Sequence, residues 1–151
     1  MRRVTAIRPA GHWPPASAID RVVLDADERP RRRIVLTGER GTQVLLDLEK
    51  PVALREGDGL ALDDGAIVQV AGRREPLVEV STARKHDIVR LAWHLGNRHA
   101  EVQVMGEKLR IRRDHVLEDM LKALGADLTP IDAPFEPESG AYGHHEHEHG
   151  A

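Results

Sequence analysis

The spacing of the apolar residues changes near residue 75, and this change divides the chain into two kinds of structure. Between Arg21 and Gly72, short β-branched runs are separated by turn signals that contain glycine. These runs are RVVLD, RIVLT, TQVLLDL and AIVQVAG. Because no long helical period interrupts them, the sequence predicts a small, β-rich N-terminal domain over residues 1–75.

Residues 76–135 predict a second domain in which strands and helices alternate. Apolar side chains between residues 83 and 95 recur at i, i+3, i+4 and i+7, which is the spacing of one helical face. They are Ile88, Leu91, Ala92 and Leu95. Gly96 follows them and is the predicted end of this helix.

A second helix is predicted from residue 115 to residue 124. Asp114 is its expected N-cap and Gly125 its expected end. Its predicted inner face carries Val116, Leu117, Met120, Leu121 and Leu124. Strands are expected at 72–80, 101–105, 108–112 and 127–132. The resulting order of strand, helix, strand, strand, helix, strand is that of a ferredoxin-like βαββαβ domain.

The segment from Ala133 onward, APFEPESGAYG, is rich in proline and glycine and has little apolar periodicity. We expect it to be mostly extended, with residues 136–151 forming a flexible, His-rich C-terminal tail. The predicted fold class is therefore α+β. It comprises a small all-β domain, a ferredoxin-like domain and this tail.

The composition excludes several functional classes. The chain has no cysteine, so any metal must bind to histidine nitrogen or carboxylate oxygen. A net charge of -3 and an aromatic content of 3% do not favour nucleic-acid binding. No apolar run of about 18 residues is present, which argues against a membrane span. Because the basic N-terminus also lacks the apolar region of a signal peptide, we expect a cytoplasmic protein.

A basic run of three arginines, Arg31, Arg32 and Arg33, lies inside the β-rich part. Charged side chains at the edge of a sheet discourage pairing with another sheet. A solvated strand edge and a patch that binds an anion or a partner are both compatible with this run.

Four histidines lie near the C-terminus, in the stretch GHHEHEHGA. They are His144, His145, His147 and His149. Neutral imidazoles on an extended chain can bind divalent late first-row metals such as nickel, copper and zinc. A solvated tail without metal, or a purification tag interrupted by glutamate, would have the same composition.

Two histidines of the second domain are further candidates. His99 follows the first helix and precedes a strand, a junction at which a rigid scaffold can hold an accessible side chain. His115 lies at the start of the second helix. Taken alone, each of them, like His94, is more often a structural residue than a metal ligand. No metalloprotease, phosphate-loop or serine-hydrolase motif is present, so the sequence does not predict an enzyme.

Several motifs occur in a specific order: LGNRH at 95–99, two short strands, DHVLEDMLKALG at 114–125, PFEPESGAYG, and the His-rich end. This ordered set resembles the urease accessory protein E family, whose members are nickel metallochaperones. The resemblance implies a homodimer formed through the ferredoxin-like domain, in which the two copies of His99 share one nickel ion. It also implies delivery of nickel to the apo-urease complex through the urease accessory GTPase, without enzymatic activity.

One position departs from the pattern of that family. Some members have H-D-H at the start of the second helix, whereas this chain has Arg113 in the first of these places, before Asp114 and His115. A guanidinium has no acceptor, so Arg113 cannot bind a metal, and His115 would be a weak or auxiliary ligand. Imidazole donors do not distinguish nickel from zinc or copper. The alternative function is a non-specific divalent-metal buffer that acts through its tail.

Overall fold

The computed structural model describes residues 1–28 and 30–138, without the side chains of Pro30 and Arg31. The chain divides into two compact units, residues 1–73 and residues 74–151. Each unit contains one of the two described β-sheets, and both described α-helices belong to the second unit. No helix in the described ranges is long and apolar enough to cross a membrane.

The first unit is built from six strands. They are β1 Arg2–Arg8, β2 Ala18–Leu24, β3 Pro30–Thr37, β4 Gln43–Ala53, β5 Gly59–Leu62 and β6 Ile67–Gly72. Their order in the sheet is β2-β6-β5-β1-β4-β3. Alternate side chains of the strands form the core, in which Val44, Leu46, Val68 and Val70 are fully buried. The β-rich character predicted for this part of the chain is confirmed.

Two strands of this sheet were missed by the sequence prediction. β1 has arginines at both ends, and β5 is only four residues long and has no β-branched residue. Both are stabilised by their neighbours, because β1 pairs with β4 on one side and with β5 on the other. Pairing within the sheet therefore supports their strand conformation.

The basic run lies on β3, which is an edge strand of the sheet. The side chains of Arg32 and Arg33 are exposed. This arrangement agrees with the solvated-edge interpretation of the run, in which charge protects a free strand edge from pairing.

A buried carboxylate, that of Asp20, fixes the turn between β3 and β4. It accepts hydrogen bonds from the backbone N–H groups of Arg21 at 2.7 Å, Arg40 at 3.0 Å and Thr42 at 3.1 Å. Burial raises the pKa of Asp20, but these hydrogen bonds outweigh it and hold the pKa at about 2. Gly38 leaves the space for this carboxylate, since a Cβ there would lie 2.2 Å from one of its oxygens.

The second unit has four strands and two helices. They are β7 Arg74–Ser81, α1 Asp87–Asn97, β8 Gln103–Met105, β9 Lys108–Arg112, α2 His115–Ala123 and β10 Asp127–Pro134. The sheet has the order β10-β7-β9-β8, and all neighbouring strands are antiparallel. The predicted order of strands and helices is confirmed, and it is the split βαβ arrangement.

Both helices cover one face of this four-stranded sheet. Leu91 and Leu95 of α1 and Leu121 of α2 are buried in a core that also contains Val78, Val80, Leu109 and Ile111. The prediction that Val116 and Leu124 belong to the inner face of α2 is wrong, because their side chains are 57% and 40% exposed. α2 is only nine residues long, so these two residues lie at its ends, beyond the turns that contact the sheet.

Candidate metal site

His99 lies just after helix α1, in the left-handed backbone conformation. Its φ is 56°, and among the described residues it is the only non-glycine residue with a positive φ. The His99 N–H donates to the Gly96 carbonyl at 3.0 Å, and the Ala100 N–H donates to the Leu95 carbonyl at 3.0 Å. These two bonds form a Schellman motif in which His99 occupies the position usually held by glycine.

The predicted end of α1 at Gly96 is therefore wrong. α1 continues to Asn97, and Arg98 is its C-cap. Gly96 lies inside the last turn, and a Cβ added to it would meet no described atom within 4 Å. The left-handed residue that ends the helix comes three residues later, at His99.

This position gives His99 three properties that suit a metal ligand. Its side chain is exposed. Its backbone is fixed to the hydrophobic core, because Leu95 is fully buried and Ala100 packs against the same core. It also lies at the carbonyl end of α1, where the partial negative charge of the helix favours a cation. The left-handed conformation of a residue with a Cβ costs about 1 kcal/mol, a cost that is characteristic of functional positions.

The outer face of α1 carries two exposed apolar side chains before His99. Val89 is 68% exposed and Trp93 is 63% exposed, and their spacing of four residues places them on one face of the helix. The Trp93 ring makes an edge-on contact with the His94 ring, with centroids 5.0 Å apart. A tryptophan and a valine that are both exposed and adjacent are uncommon on a protein surface, and such pairs are typical of protein–protein contacts.

His115 lies at the amino end of α2, whereas His99 lies at the carbonyl end of α1. It is the first residue of α2, and its side chain is exposed. Asp114 is the N-cap, as predicted, and its carboxylate accepts hydrogen bonds from Val116 N–H at 3.0 Å and Leu117 N–H at 3.1 Å. The amino end of a helix carries a partial positive charge, which disfavours a bound cation.

Arg113 is occupied by a contact that the sequence did not predict. Its guanidinium donates two hydrogen bonds to the buried carboxylate of Glu118, at 3.2 Å and 3.0 Å, and Glu118 also accepts from the Asp114 N–H at 2.9 Å. The hydrogen bonds from Arg113 lower the pKa of Glu118 despite its burial. A glutamate four residues after the N-cap is the sequence signal that could have revealed this contact.

The described residues do not form a metal site within one chain. No group of three or more histidine, aspartate or glutamate side chains in residues 1–28 and 30–138 could hold an ion. His99 and His115 are not brought together in such a group. The four predicted tail ligands, His144, His145, His147 and His149, lie outside the described residues. An ion at His99 would therefore need ligands from the tail, from solvent or from another molecule.

A short segment after β10 returns towards His99. In this strap, which we define as residues 135–138, Phe135 is fully buried and the Arg112 guanidinium lies 4.9 Å from the centre of its ring. The Glu136 N–H donates to the Gln103 side-chain oxygen at 3.0 Å, and the Glu138 N–H donates to the Val102 carbonyl at 2.8 Å. The strap thus reaches the chain three residues after His99. These contacts were not predicted, although the only phenylalanine of the chain could have suggested them.

Comparison with known proteins identifies the family of the chain. Residues 2–72 match the family model of the UreE urease accessory protein N-terminal domain, and residues 75–151 match that of its C-terminal domain. The chain belongs to the UreE urease accessory protein family. The family that the ordered motifs predicted is thereby confirmed.

Similar UreE proteins cover nearly the whole chain, and three illustrate this. A urease accessory protein UreE of Bradyrhizobium sp. (strain ORS 278) is 52% identical over 150 residues, which are 99% of this chain and 71% of that protein. One of Rhodopseudomonas palustris (strain BisB18) is 53% identical over 142 residues, 94% of this chain and 67% of that protein. One of Beijerinckia indica subsp. indica is 48% identical over 152 residues, 97% of this chain and 87% of that protein.

Proposed function

We propose that this UreE-family chain is a nickel carrier, not an enzyme, and that it delivers Ni(II) to the apo-urease complex through the urease accessory GTPase. Family membership supports a role in urease maturation. The observation that carries the metal assignment is the left-handed, exposed position of His99 at the carbonyl end of α1. An accessible imidazole on a fixed backbone is what a transferable ion requires.

We place the ion between two copies of the chain. The exposed side chains of Val89 and Trp93 lie on the helix that ends at His99, so a homodimer that buries them would bring two His99 residues to one interface. A C2 interface is self-complementary, and residues near its axis meet their own copies. The proposed dimerisation domain is the ferredoxin-like domain, residues 76–135.

Two imidazoles leave the coordination of the ion open. A closed structural site with four protein ligands holds its metal permanently, whereas open positions allow an acceptor to add ligands before the donor lets go. His144, His145, His147 and His149 of the tail would supply exchangeable ligands and raise the local metal concentration. His115 would be auxiliary at most. Zinc and copper bind to the same imidazole donors, so affinity alone does not select nickel. Delivery of the ion to the apo-urease complex must contribute to the selectivity.

Equilibrium dialysis against Ni(II) tests this proposal with three variants of the full chain. His99→Ala should lose the tight site, with affinity reduced at least about tenfold, or about 1.4 kcal/mol. Deletion of residues 144–151 should lower the number of ions bound and weaken the His99 site without abolishing it. His12→Ala, which removes an exposed histidine of the first unit, is the matched control and should change nothing.

The opposite pattern would support the metal-buffer function instead. In that case the tail deletion would remove nearly all bound nickel and His99→Ala would keep full affinity. Native mass spectrometry of the same samples gives the number of ions per chain and the oligomeric state. A second readout is urease activity after incubation of the loaded chain with apo-urease and the accessory GTPase. His99→Ala should reduce that activation when nickel is limiting.

A further inference from the structure

We infer that the strap, residues 135–138, is a positioning element that fixes the start of the His-rich tail beside His99. This inference rests on the proposed function, because it concerns how the tail reaches the ion held there. It adds a role for residues that carry no metal-binding side chain, chiefly Phe135 and Gln103.

The strap is anchored by contacts of three kinds. The Phe135 ring is fully buried under the Arg112 guanidinium, which is itself held by Glu75 at 2.7 Å and by Glu101 at 2.9 Å. Gln103 is 7% exposed, and its side-chain oxygen accepts the Glu136 N–H. The Glu138 N–H then donates to the backbone of Val102. A segment rich in proline would not hold this path without such anchors.

The anchors change where the tail begins. β10 is one edge strand of the sheet and β8 is the other, so the strap carries the chain across three strand spacings, or about 14 Å. At Glu138 the chain is hydrogen-bonded to Val102, which is three residues from His99. His144 follows Glu138 by only six positions, and this length of chain spans at most about 20 Å. The first tail histidine is therefore tethered within reach of the His99 of its own chain.

Without the strap the tether would start from the far edge of the sheet. Pro134, the last residue of β10, pairs with Arg74 of β7 and precedes His144 by ten residues. The effective concentration of a tethered ligand falls as about the −3/2 power of tether length, so a change from six residues to ten lowers it about twofold. The added distance across the sheet lowers it further.

The quantity to measure is the tail factor, the ratio of Ni(II) affinities with and without residues 144–151. Phe135→Ala should lower the tail factor of the full chain at least about twofold, while the affinity of the tail-deleted chain stays unchanged. Leu121→Ala is the matched control. It removes a fully buried apolar side chain from the same unit without touching the strap, so the tail factor should stay at its wild-type value.

A second variant leaves every described contact intact. Insertion of about twelve Gly/Ser residues directly after Glu138 lengthens the tether to His144 about threefold and should lower the tail factor about fivefold. An unchanged tail factor in this variant would overturn the inference, whatever the Phe135→Ala chain does. Equal losses in Phe135→Ala with and without the tail would also overturn it, because they indicate a merely structural role. Failure of the proposed function looks different, since His99→Ala would then keep its affinity.

Discussion

The two helices of the second unit have contrasting ends. α2 follows local rules at both of its ends, with the carboxylate of Asp114 as N-cap and Gly125, at a φ of 91°, in the left-handed position. α1 follows neither rule. His86 precedes it in helical conformation without a capping hydrogen bond from its side chain, and His99 occupies the left-handed position at its end.

The two helices therefore differ in what stabilises them. α1 must be stabilised by packing instead of by its ends, and Leu91 and Leu95 are almost fully buried in the core. Natural proteins break one or two local rules at functional sites and compensate elsewhere. The helix with irregular ends is also the one that carries the exposed Trp93 and the candidate ligand.

The largest effect is expected at the amino end of α2. Arg113→Ala removes two hydrogen bonds from the buried carboxylate of Glu118, which keeps one donor among the described residues, the Asp114 N–H. We expect the free energy of unfolding to fall by about 2 kcal/mol, because a buried charge loses its partner. Urea denaturation measures this loss.

The control for this prediction is Arg98→Ala, which removes the exposed arginine at the C-cap of α1. Its free energy of unfolding should stay within about 0.5 kcal/mol of the wild type. Arg113→Lys should fall in between, because lysine keeps the charge without the paired geometry of a guanidinium. Equal stability of Arg113→Ala and the wild type would mean that α2 does not depend on this contact.

A smaller effect is expected from exchanging the residues at the two helix ends. Gly125→Ala should destabilise the protein by about 1–2 kcal/mol, and the loss is conformational because a Cβ at Gly125 meets no described atom within 4 Å. His99→Gly should have the opposite sign and stabilise it by about 0.5–1 kcal/mol. The same variant should lose the tight nickel site.

His99→Ala serves as the reference for this pair, since it removes the imidazole but keeps a Cβ in the left-handed position. Urea denaturation of the three variants should rank His99→Gly above His99→Ala and Gly125→Ala lowest. If His99→Gly is less stable than the wild type, the left-handed conformation is not strained in solution and the contrast between the helices disappears.

The same contrast explains how much of the fold could be predicted. α2 was predicted with its cap and its end because Asp114 and Gly125 are local signals that the structure uses directly. The end of α1 was misplaced because Gly96 is a strong local signal that the structure does not use. β1 was missed because the strands that pair with it lie far away in the chain, and β5 because it is only four residues long and has no β-branched residue.

The candidate site was predictable in a different way. Spacing and composition alone left His99 as an ordinary histidine, and it became a candidate through the ordered motifs of the family. Its left-handed backbone was not predicted, because a positive φ is uncommon for any residue other than glycine. The strap was missed because Phe135 lies among prolines without any periodic pattern.

The smallest effect is expected at His115. It tests the comparison between the carbonyl end of α1 and the amino end of α2. His99 lies at the carbonyl end of α1, whereas His115 lies at the amino end of α2, where the helix charge opposes a cation. His115→Ala should therefore change Ni(II) affinity in equilibrium dialysis by less than about twofold, or about 0.4 kcal/mol. If His115→Ala loses as much Ni(II) affinity as His99→Ala, the charge of the helix end does not decide which histidine binds the ion.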